Sequence, residues 1–349
     1  MPERLAVHGD MVTLAHGSGG RAMRALIDGV FLEAFGDGGI NEKDDAASLS
    51  FAELAANGDR LVFTTDSFVI DPIVFPGGDL GRLSVCGTVN DLAVAGARPM
   101  ALSAAFIVEA GFSFQDLRTI AASMAEAARE AGITIVTGDT KVVDRGAADK
   151  LFITTSGVGV VPVGRDLGPH RIAPGDKVIV SDSIGAHGAA VMAARGDMNI
   201  GTSLASDCKP LNPLTEALLE AAPATRIMRD ATRGGVATIL CEFALASGLC
   251  IRIEEARLNV SDPVRGIAEI LGLDPLYLAN EGVFVAIVAA EEAEAARDRL
   301  AGMAGGEGAA IIGEVGAEDE GAGEVVMISP FGGERLVDML DGEQLPRIC

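Results

Sequence analysis

The chain has 349 residues, of which 50 are acidic and 27 are basic, so its formal net charge is −23. A chain this acidic repels phosphate backbones and anionic headgroups, which excludes nucleic acid and membrane surfaces as partners. A small anionic ligand remains compatible with this charge if a divalent cation lies between the ligand and the protein's carboxylates.

Length and composition predict two domains and a cytoplasmic location. Hydrophobic residues make up 49% of the chain, which is too long for one ordinary core. The first residues lack the apolar segment of a signal peptide, and the longest apolar run, Val283–Ala290, is too short to span a membrane. The five cysteines have no CxxC spacing, so neither a zinc site nor a disulfide framework is indicated.

The first half of the chain alternates strands and helices around glycine-rich turns. A loop at His16–Gly20 opens onto a helix over Arg21–Phe35, and Leu61–Thr65 is predicted as a strand that ends at Asp66. Ser113 and Asp116 have the spacing of a capping box, which begins a helix ending near Gly132. The other predicted elements here are a buried helix at Gly81–Val94 and strands at Leu102–Val108, Ile133–Thr137 and Leu151–Val161.

A stretch rich in proline, glycine and charge, Asp166–Asp176, predicts a domain boundary. The chain then alternates strands at Lys177–Ser181, Cys250–Glu254 and Val283–Ala289 with helices near Ala189–Ala194, Leu214–Ala221, Val236–Ser247, Val264–Leu271 and Glu291–Met303. This alternation is typical of a layered α/β domain. Phe331–Cys349 shows no period and is interpreted as a tail. We therefore predict an N-terminal domain at residues 1–165, a C-terminal domain at 166–330 and a flexible tail at 331–349.

Acidic residues follow several of the predicted strands and helices. They are Asp45, Asp66, Asp91, Asp139 and Asp230. Acids at strand ends point into the crevice where α/β proteins bind ligands, and clustered carboxylates suit Mg²⁺ that holds a triphosphate. Helix caps and turns are the alternative, because aspartate commonly serves in both.

Three further features are candidates for a phosphate or acid–base site. The His16–Gly20 loop offers backbone N–H groups at a helix N-terminus, although no P-loop lysine follows and a plain turn is the alternative. Lys141 lies close to Asp139 and suits a phosphoryl oxygen, whereas a solvated loop lysine is the alternative. Glu281, before a buried strand, places a carboxylate at a cleft or simply in a strand-entry turn.

The last residue, Cys349, carries a thiol that a pliable tail could move from one active site to another. Arg347 favours its thiolate and the adjacent α-carboxylate opposes it. Prenylation is excluded because position 346 is Pro, not Cys. The residues alone leave open whether this terminal cysteine has any role.

Taken together, the motifs resemble the HypE family of hydrogenase maturation proteins. They are HGSGG, TTDSFVIDP, FPGG, CGTVNDLAVAGA, VTGDTKVV, DKLFITTSGVG, RDATRGGV, ANEG and the terminal PRIC, in order from about residue 12 to the end. The resemblance implies the two-domain fold of aminoimidazole ribonucleotide synthetase, a mixed α+β and α/β architecture. It also implies an N-terminal sheet that pairs across a homodimer, a layered α/β C-terminal domain and an ATP cleft between the domains.

The resemblance also implies roles for individual residues. Asp45, Asp66, Asp91 and Asp230 become Mg²⁺–nucleotide ligands. ATP binding is assigned to these residues except Asp230, together with Gly17, Ser18, Gly19, Gly20, Asn90, Asp139, Thr140 and Lys141. Cys349 becomes the carrier, Lys141 stabilises the transferred phosphoryl group, and Glu281 is the candidate general base with His16 second.

The implied reaction begins when the carbamoyltransferase HypF places a carbamoyl group on Cys349. ATP phosphorylates the carbamoyl oxygen, and loss of phosphate leaves a thiocyanate. Its cyanide passes to iron on a HypC–HypD scaffold for nickel–iron hydrogenase. Two alternatives are a small-molecule ATP-dependent synthetase or kinase of the same superfamily and a non-catalytic assembly scaffold that uses ATP as a switch.

Overall fold

The computed structural model describes residues 6–7, 9–36, 46–195, 204–317, 323–342 and 347–349. Thirteen strands are found in these ranges: β1 Arg60–Phe68, β2 Val74–Phe75, β3 Gly78–Asp79, β4 Arg98–Glu109, β5 Thr134–Val143, β6 Leu151–Val161, β7 Lys177–Val180, β8 Ile227–Asp230, β9 Ile251–Glu254, β10 Phe284–Val288, β11 Ala310–Val315, β12 Val325–Ile328 and β13 Glu334–Val337. None of the helices in the described ranges is long and apolar enough to cross a membrane.

Ten α-helical segments accompany the strands. They are α1 Arg21–Leu26, α2 Leu32–Phe35, α3 Phe51–Asn57, α4 Leu80–Val94, α5 Phe114–Ala131, α6 Ala186–Ala194, α7 Asn212–Ala221, α8 Gly235–Ser247, α9 Asp262–Leu271 and α10 Ala293–Ala301. A π-helical turn at Ile27–Phe31 joins α1 to α2, so the helix predicted at Arg21–Phe35 is present with one irregular turn.

The N-terminal sheet has four strands in the order β1-β6-β4-β5. Helices α4 and α5 cover one face, and α4 approaches closely because two of its positions are glycine. A Cβ at Gly81 would lie 2.3 Å from the carbonyl oxygen of Ile120 in α5, and one at Gly87 would lie 2.8 Å from the ring of Phe68 in β1. The opposite face exposes apolar side chains, because alternate residues of β1 point away from the helices.

The C-terminal sheet has seven strands in the order β13-β12-β9-β11-β7-β10-β8. Val285 and Ile287 of β10 belong to the core that contains α8, whereas Phe284 and Ala286 belong to the core that contains α7 and α10. Helices therefore cover both faces of this sheet, which confirms the layered α/β arrangement predicted for this half.

The N-terminal core continues beyond its own sheet. It includes Val191 of α6, Val264 and Ile267 of α9, and Ile348, the residue before the C-terminus. The junction between the two sheets is thus closed by α6, α9 and the last residues of the chain.

The end of the chain differs from its prediction. Glu334–Val337 form β13, which pairs antiparallel with β12 at the edge of the C-terminal sheet. The expectation of no regular structure over Phe331–Cys349 is therefore wrong for this segment, because four residues are too few to show a period. The domain boundaries themselves stay a prediction.

Candidate functional site

The last three residues lie along the segment that follows β1. The backbone N–H of Val69 donates to the carboxylate of Cys349 at 3.2 Å, and that of Asp71 donates to the carbonyl of Arg347 at 3.3 Å. Ile348 between them is only 4% exposed. The tail end is thus docked into the molecule, with the Cys349 side chain at the junction of the two sheets.

The thiol of Cys349 contacts an arginine from the second half of the chain. Nε of Arg233 donates to Sγ of Cys349 at 3.2 Å. Burial, and then the negative charge of Glu281, raise the pKa of Cys349 to about 12, although Arg233 acts in the opposite direction. The docked thiol is therefore neutral at physiological pH.

Arg347 does not play the part expected of it. Its guanidinium forms an ion pair with Asp149 at 2.5 Å, and its Nε donates to the carbonyl of Val69 at 3.4 Å. It anchors the tail to the N-terminal sheet, and Arg233 is the cation that contacts the thiol.

Three of the predicted acids, from different elements, lie close enough to affect one another's pKa, and Asp66 among them also acts on the thiol. Asp66 lies in β1, Asp91 in α4 and Asp230 at the end of β8. Burial, and then the charges of Asp91 and Asp66, raise the pKa of Asp230 to about 7. Burial and Asp66 also raise the pKa of Asp91, against a 2.7 Å hydrogen bond from the hydroxyl of Thr64. The negative charges of these three carboxylates therefore repel one another.

Glu281 completes this group, which we call the carboxylate cluster: Asp66, Asp91, Asp230 and Glu281. Its side chain is 2% exposed, and its Oε1 has no hydrogen-bond partner within the described part of the chain. Burial, followed by the charges of Asp230, Asp207 and Asp66, raises the pKa of Glu281 well above its usual range. A buried carboxylate with an unused oxygen and a raised pKa has the properties of a general base.

The side chain of Asn90 forms hydrogen bonds with the backbone of Glu281 and of two residues near it. Its amide nitrogen donates to the carbonyls of Lys209 and Glu281 at 3.2 and 3.3 Å, and its Oδ1 accepts from the N–H of Leu211 at 2.7 Å. The side chain is 1% exposed and positions the backbone of Glu281, and its predicted contact with ATP stays a prediction.

A cavity of about 380 Å³ opens beside Cys349. Its lining comes from both halves of the chain and includes Val69, Arg233, Thr238, Tyr277, Leu340 and Cys349. The thiol of Cys349 therefore faces space large enough for a small group attached to it.

The second predicted group, Asp139–Lys141, lies elsewhere. In β5 the Nζ of Lys141 bonds Oδ2 of Asp139 at 2.6 Å, and both side chains are exposed. This contact is the main reason that the pKa of Asp139 is lowered. Thr140 between them is 4% exposed, and its backbone N–H donates to Oδ1 of Asp139 at 2.8 Å.

Sheet register puts this pair on the face opposite to Asp66. Asp66 pairs with Thr155, which pairs with Ala104 and, through it, with Gly138, so these four share the helix-covered face. Asp139 and Lys141 pair with Ala105 and Ile107 on the outer face, three strands or roughly 14 Å away. Within one chain the structure does not bring Lys141 to the carboxylate cluster.

The glycine loop lies against β5. A Cβ at Gly17 would be 2.8 Å from the backbone nitrogen of Val142, so this close approach requires glycine. His16 is 8% exposed, accepts from the N–H of Thr13 at 3.0 Å through Nδ1, and meets the ring of Phe114 edge-on at 5.0 Å. This geometry gives His16 a role in the loop's own turn. Ser18, Gly19 and Gly20 continue the loop, with the hydroxyl of Ser18 donating to the carbonyl of Ala15 at 2.9 Å.

The structure describes three of the four predicted metal ligands, Asp66, Asp91 and Asp230. The fourth, Asp45, lies outside the described residues. Across the residues that are described, no three Asp, Glu, His or Cys side chains are already arranged around a common metal position. The mutual repulsion of Asp91 and Asp230 is nevertheless what a divalent cation relieves, so their chemistry fits Mg²⁺.

Sequence reasoning found the carboxylates and Cys349 but missed Arg233. The motif RDATRGGV contains both Asp230 and Arg233, and only its acid was used. His187, whose side chain bonds the tail, was also missed, because it lies 161 residues before its partner.

Both halves of the chain match known domains. Residues 43–161 match the AIR synthase related protein N-terminal domain, and residues 173–326 match the corresponding C-terminal domain. A carbamoyl dehydratase HypE from Rhodobacter capsulatus is 53% identical over 345 residues, which are 99% of this chain and 100% of that relative.

Solved structures give the same result. The structure of hydrogenase maturation protein HypE in complex with ATP has a TM-score of 0.90 at 45% identity and covers 97% of this chain and 99% of its own. A chain of the HypE–HypF complex has a TM-score of 0.77 at 45% identity, with 90% and 100% covered. The similarity thus extends over both sheets and almost the whole chain.

Proposed function

The chain belongs to the HypE family of carbamoyl dehydratases, and from that membership we propose that it converts an S-carbamoyl group on Cys349 into a thiocyanate with ATP. The observation that carries the proposal is the docked terminal thiol, 3.2 Å from Arg233 and beside the buried carboxylate of Glu281. The product supplies the cyanide ligand of the iron in nickel–iron hydrogenase.

The reaction balances as an ATP-driven loss of water. The carbamoyl oxygen attacks the γ-phosphorus, so an O–P bond forms, ADP leaves, and one N–H proton is lost. The C–O bond then breaks with phosphate as leaving group, the second N–H proton is lost, and the carbon–nitrogen triple bond forms. Phosphorylation is needed because phosphate leaves far more readily than an oxide.

Glu281 takes the N–H proton in this scheme. Its carboxylate is buried near the thiol, and its raised pKa makes it a better proton acceptor than an ordinary glutamate. Arg233, which bonds Sγ of Cys349, orients the S-carbamoyl group and stabilises charge that develops on it.

Asp66, Asp91 and Asp230 would hold Mg²⁺, with Asp45 as a further ligand outside the described residues. Support comes from the buried and mutually repelling carboxylates of Asp91 and Asp230. When bound, the cation neutralises charge on the triphosphate, which allows an anionic chain to accept ATP.

We also propose that a second copy of the chain completes the phosphate site. The outer face of the N-terminal sheet exposes Leu61, Phe63 and Ile107 to 62%, 65% and 41%, an apolar surface that a partner sheet would cover. Since Lys141 lies on that face, away from the carboxylate cluster of its own chain, a homodimer offers Lys141 of one copy to the ATP of the other.

The partners follow from the chemistry. A HypF carbamoyltransferase loads Cys349, in line with the solved complex of a HypE with HypF. A HypC–HypD iron scaffold would accept the cyanide, and the reaction would take place in the cytoplasm.

The test is the dependence of ATP hydrolysis on the adduct. Carbamoylated protein should hydrolyse one ATP for each water lost, and the Cys349→Ala variant treated in the same way should hydrolyse none. Steady hydrolysis by the Cys349→Ala variant would contradict the dehydratase proposal and favour an ATP-driven switch.

A further inference from the structure

His187 in α6 and Arg195 directly after this helix form hydrogen bonds with the backbone of the docked tail. Nε2 of His187 lies 2.8 Å from the carbonyl oxygen of Ile348. A terminal nitrogen of Arg195 donates to the carbonyl of Arg347 at 2.8 Å, while its Nε donates to the carbonyl of Asp71 at 2.9 Å. The two carbonyls that precede Cys349 are therefore both held by this one helix.

The imidazole of His187 donates a hydrogen bond to the carbonyl of Ile348. It is fully buried, and burial lowers its pKa against the nearby charge of Asp207, so the ring is neutral. A carbonyl oxygen only accepts, so the proton is assigned to Nε2, and Nδ1 accepts from the hydroxyl of Ser206 at 2.8 Å. The ring of Phe75 meets it edge-on at 5.4 Å, which fixes its orientation.

The same helix is connected to the candidate base. At its first turn, the N–H of Gly185 donates to Oδ1 of Asn280 at 2.7 Å, and Asn280 is the neighbour of Glu281. On the other side of His187, Asp207 accepts from the N–H of Glu281 at 3.1 Å, one residue from the Ser206 that bonds the ring. Tail docking and the position of Glu281 thus share one set of contacts.

We propose that His187 and Arg195 form a latch that holds the tail with Cys349 in the cavity, and that opening this latch frees the thiol to leave. The inference rests on the proposed function for its meaning, because a carrier thiol must be held in one place for dehydration and released to be loaded. His187 is a positioning residue in this account. When the tail leaves, its buried Nε2–H loses its partner, and this cost favours the docked state.

Alkylation of Cys349 measures the latch without any turnover. The docked thiol is neutral because its pKa is about 12, whereas a thiol on a released tail has the ordinary value and reacts faster. Nucleotide-free protein is treated with iodoacetamide, and modification of the C-terminal peptide is followed by mass spectrometry. In His187→Phe, which keeps the ring volume, alkylation should be about tenfold faster, the effect of one lost buried hydrogen bond.

Three further variants separate the latch from general destabilisation. His187→Gln retains a donor and should restore slow alkylation, and Arg195→Gln should accelerate it. Val191→Ala loosens the packing of the same helix but leaves both donors, so it should react like the parent protein. Parent-like alkylation of a folded His187→Phe, or equally fast alkylation of Val191→Ala, would overturn the proposal.

A second readout links the latch to turnover. Carbamoylated His187→Phe should lose water with ATP about tenfold more slowly than the parent protein, while loading by HypF is not slowed. If the parent protein failed to lose water at all, the proposed function would fail, and the alkylation series would still decide whether the latch exists.

Discussion

At the scale of single residues, the docked position of Cys349 opposes its ionisation. Burial and Glu281 raise the pKa of the thiol to about 12, whereas transfer of a carbamoyl group to sulfur needs a nucleophilic thiolate. We therefore propose that loading belongs to the released tail and dehydration to the docked one. Once the sulfur carries a carbamoyl group it has no proton to lose, and the raised pKa no longer matters.

Replacement of Glu281 by Gln should stop dehydration. The amide keeps the size of the side chain but cannot accept a proton, so we expect a loss of about 10²–10⁴-fold in the ATP-dependent conversion of carbamoylated protein. ATP affinity, measured by calorimetry, should change little. Glu255→Gln, an exposed change in the same half of the chain, is the matched control. Near-normal conversion in Glu281→Gln would remove this residue from the mechanism.

The pH dependence of the conversion should reflect the ionisation of Glu281. The pKa of Glu281 is raised, so the carboxyl holds its proton to a higher pH than usual and is inactive as a base below that pKa. Conversion in the parent protein should therefore increase as the pH rises through it. A single-turnover profile without this rising limb would contradict the assignment.

Arg233→Gln removes the guanidinium at the thiol. A hydrogen bond from a charged donor contributes about 1.5–3 kcal/mol, so single-turnover conversion should fall about 10- to 100-fold. The matched control is Arg257→Gln, because Arg257 forms a surface ion pair with Glu254 and has no contact with the carboxylate cluster. Equal losses in both variants would show a general effect of removing an arginine from this half of the chain instead of a contact with the reacting group.

At the scale of elements, the sequence predicted those features that depend on residues close together in the chain. The hydroxyl of Ser113 caps the start of α5 by accepting from the N–H groups of Gln115 and Asp116, and the left-handed Gly132 ends the helix as expected, since both act within one turn. The buried helix with Asn90 and Asp91 was predicted to within one residue of α4. Four-residue β13 and the docked Arg347–Cys349 segment were not predicted, because their partners are distant in sequence.

Sheet register explains why Lys141 lies away from the carboxylate cluster of its own chain. Leu102 and Ser103 of β4 pair with Ile135 and Thr137 of β5, which leaves Val136 out of the pairing, so Ile135 and Thr137 face opposite sides. Without this bulge Asp139 and Lys141 would share the face of Asp66; with it, they point outward. A one-residue irregularity leaves no mark in the hydrophobic pattern that could have predicted it.

The resulting prediction concerns two chains. Carbamoylated Lys141→Ala protein should be inactive by itself and should regain conversion in mixed dimers with Cys349→Ala, which supplies an intact Lys141. The matched control replaces the second chain with the double variant Lys141→Ala/Cys349→Ala, which should restore nothing. No recovery with either partner, in dimers shown to be mixed, would place Lys141 outside the partner's site.

At the scale of the whole molecule, the net charge of −23 and the carboxylate cluster lead us to expect that the stability of the protein depends on cations. The tail end, α6 and the N-terminal core form one hydrophobic cluster, so docking of the tail and packing of α6 stabilise each other. Composition predicted the need for a cation, but the place where the acids meet required the fold.

Stability should report this dependence. Because folding raises the pKa of Asp230 from 3.8 to about 7, the folded state binds its proton more tightly than the unfolded state. In the cation-free protein this carboxyl should therefore contribute a loss of stability, about 4 kcal/mol at most, as the pH rises from about 4 to about 7. Thermal unfolding of Asp230→Asn should lack this contribution while the declines due to Asp91 and Glu281 remain, and Mg²⁺ should offset the decline in the parent protein. Identical pH profiles for both proteins would contradict the raised pKa.

The central claim is that Cys349 carries the group that ATP dehydrates. The most direct measurement is mass spectrometry of the C-terminal peptide after loading by HypF with carbamoyl phosphate, with and without MgATP. The account predicts a carbamoyl adduct on Cys349 that loses one water only when ATP is present. An adduct on Cys86, Cys208, Cys241 or Cys250, or a loss of water without ATP, would contradict it.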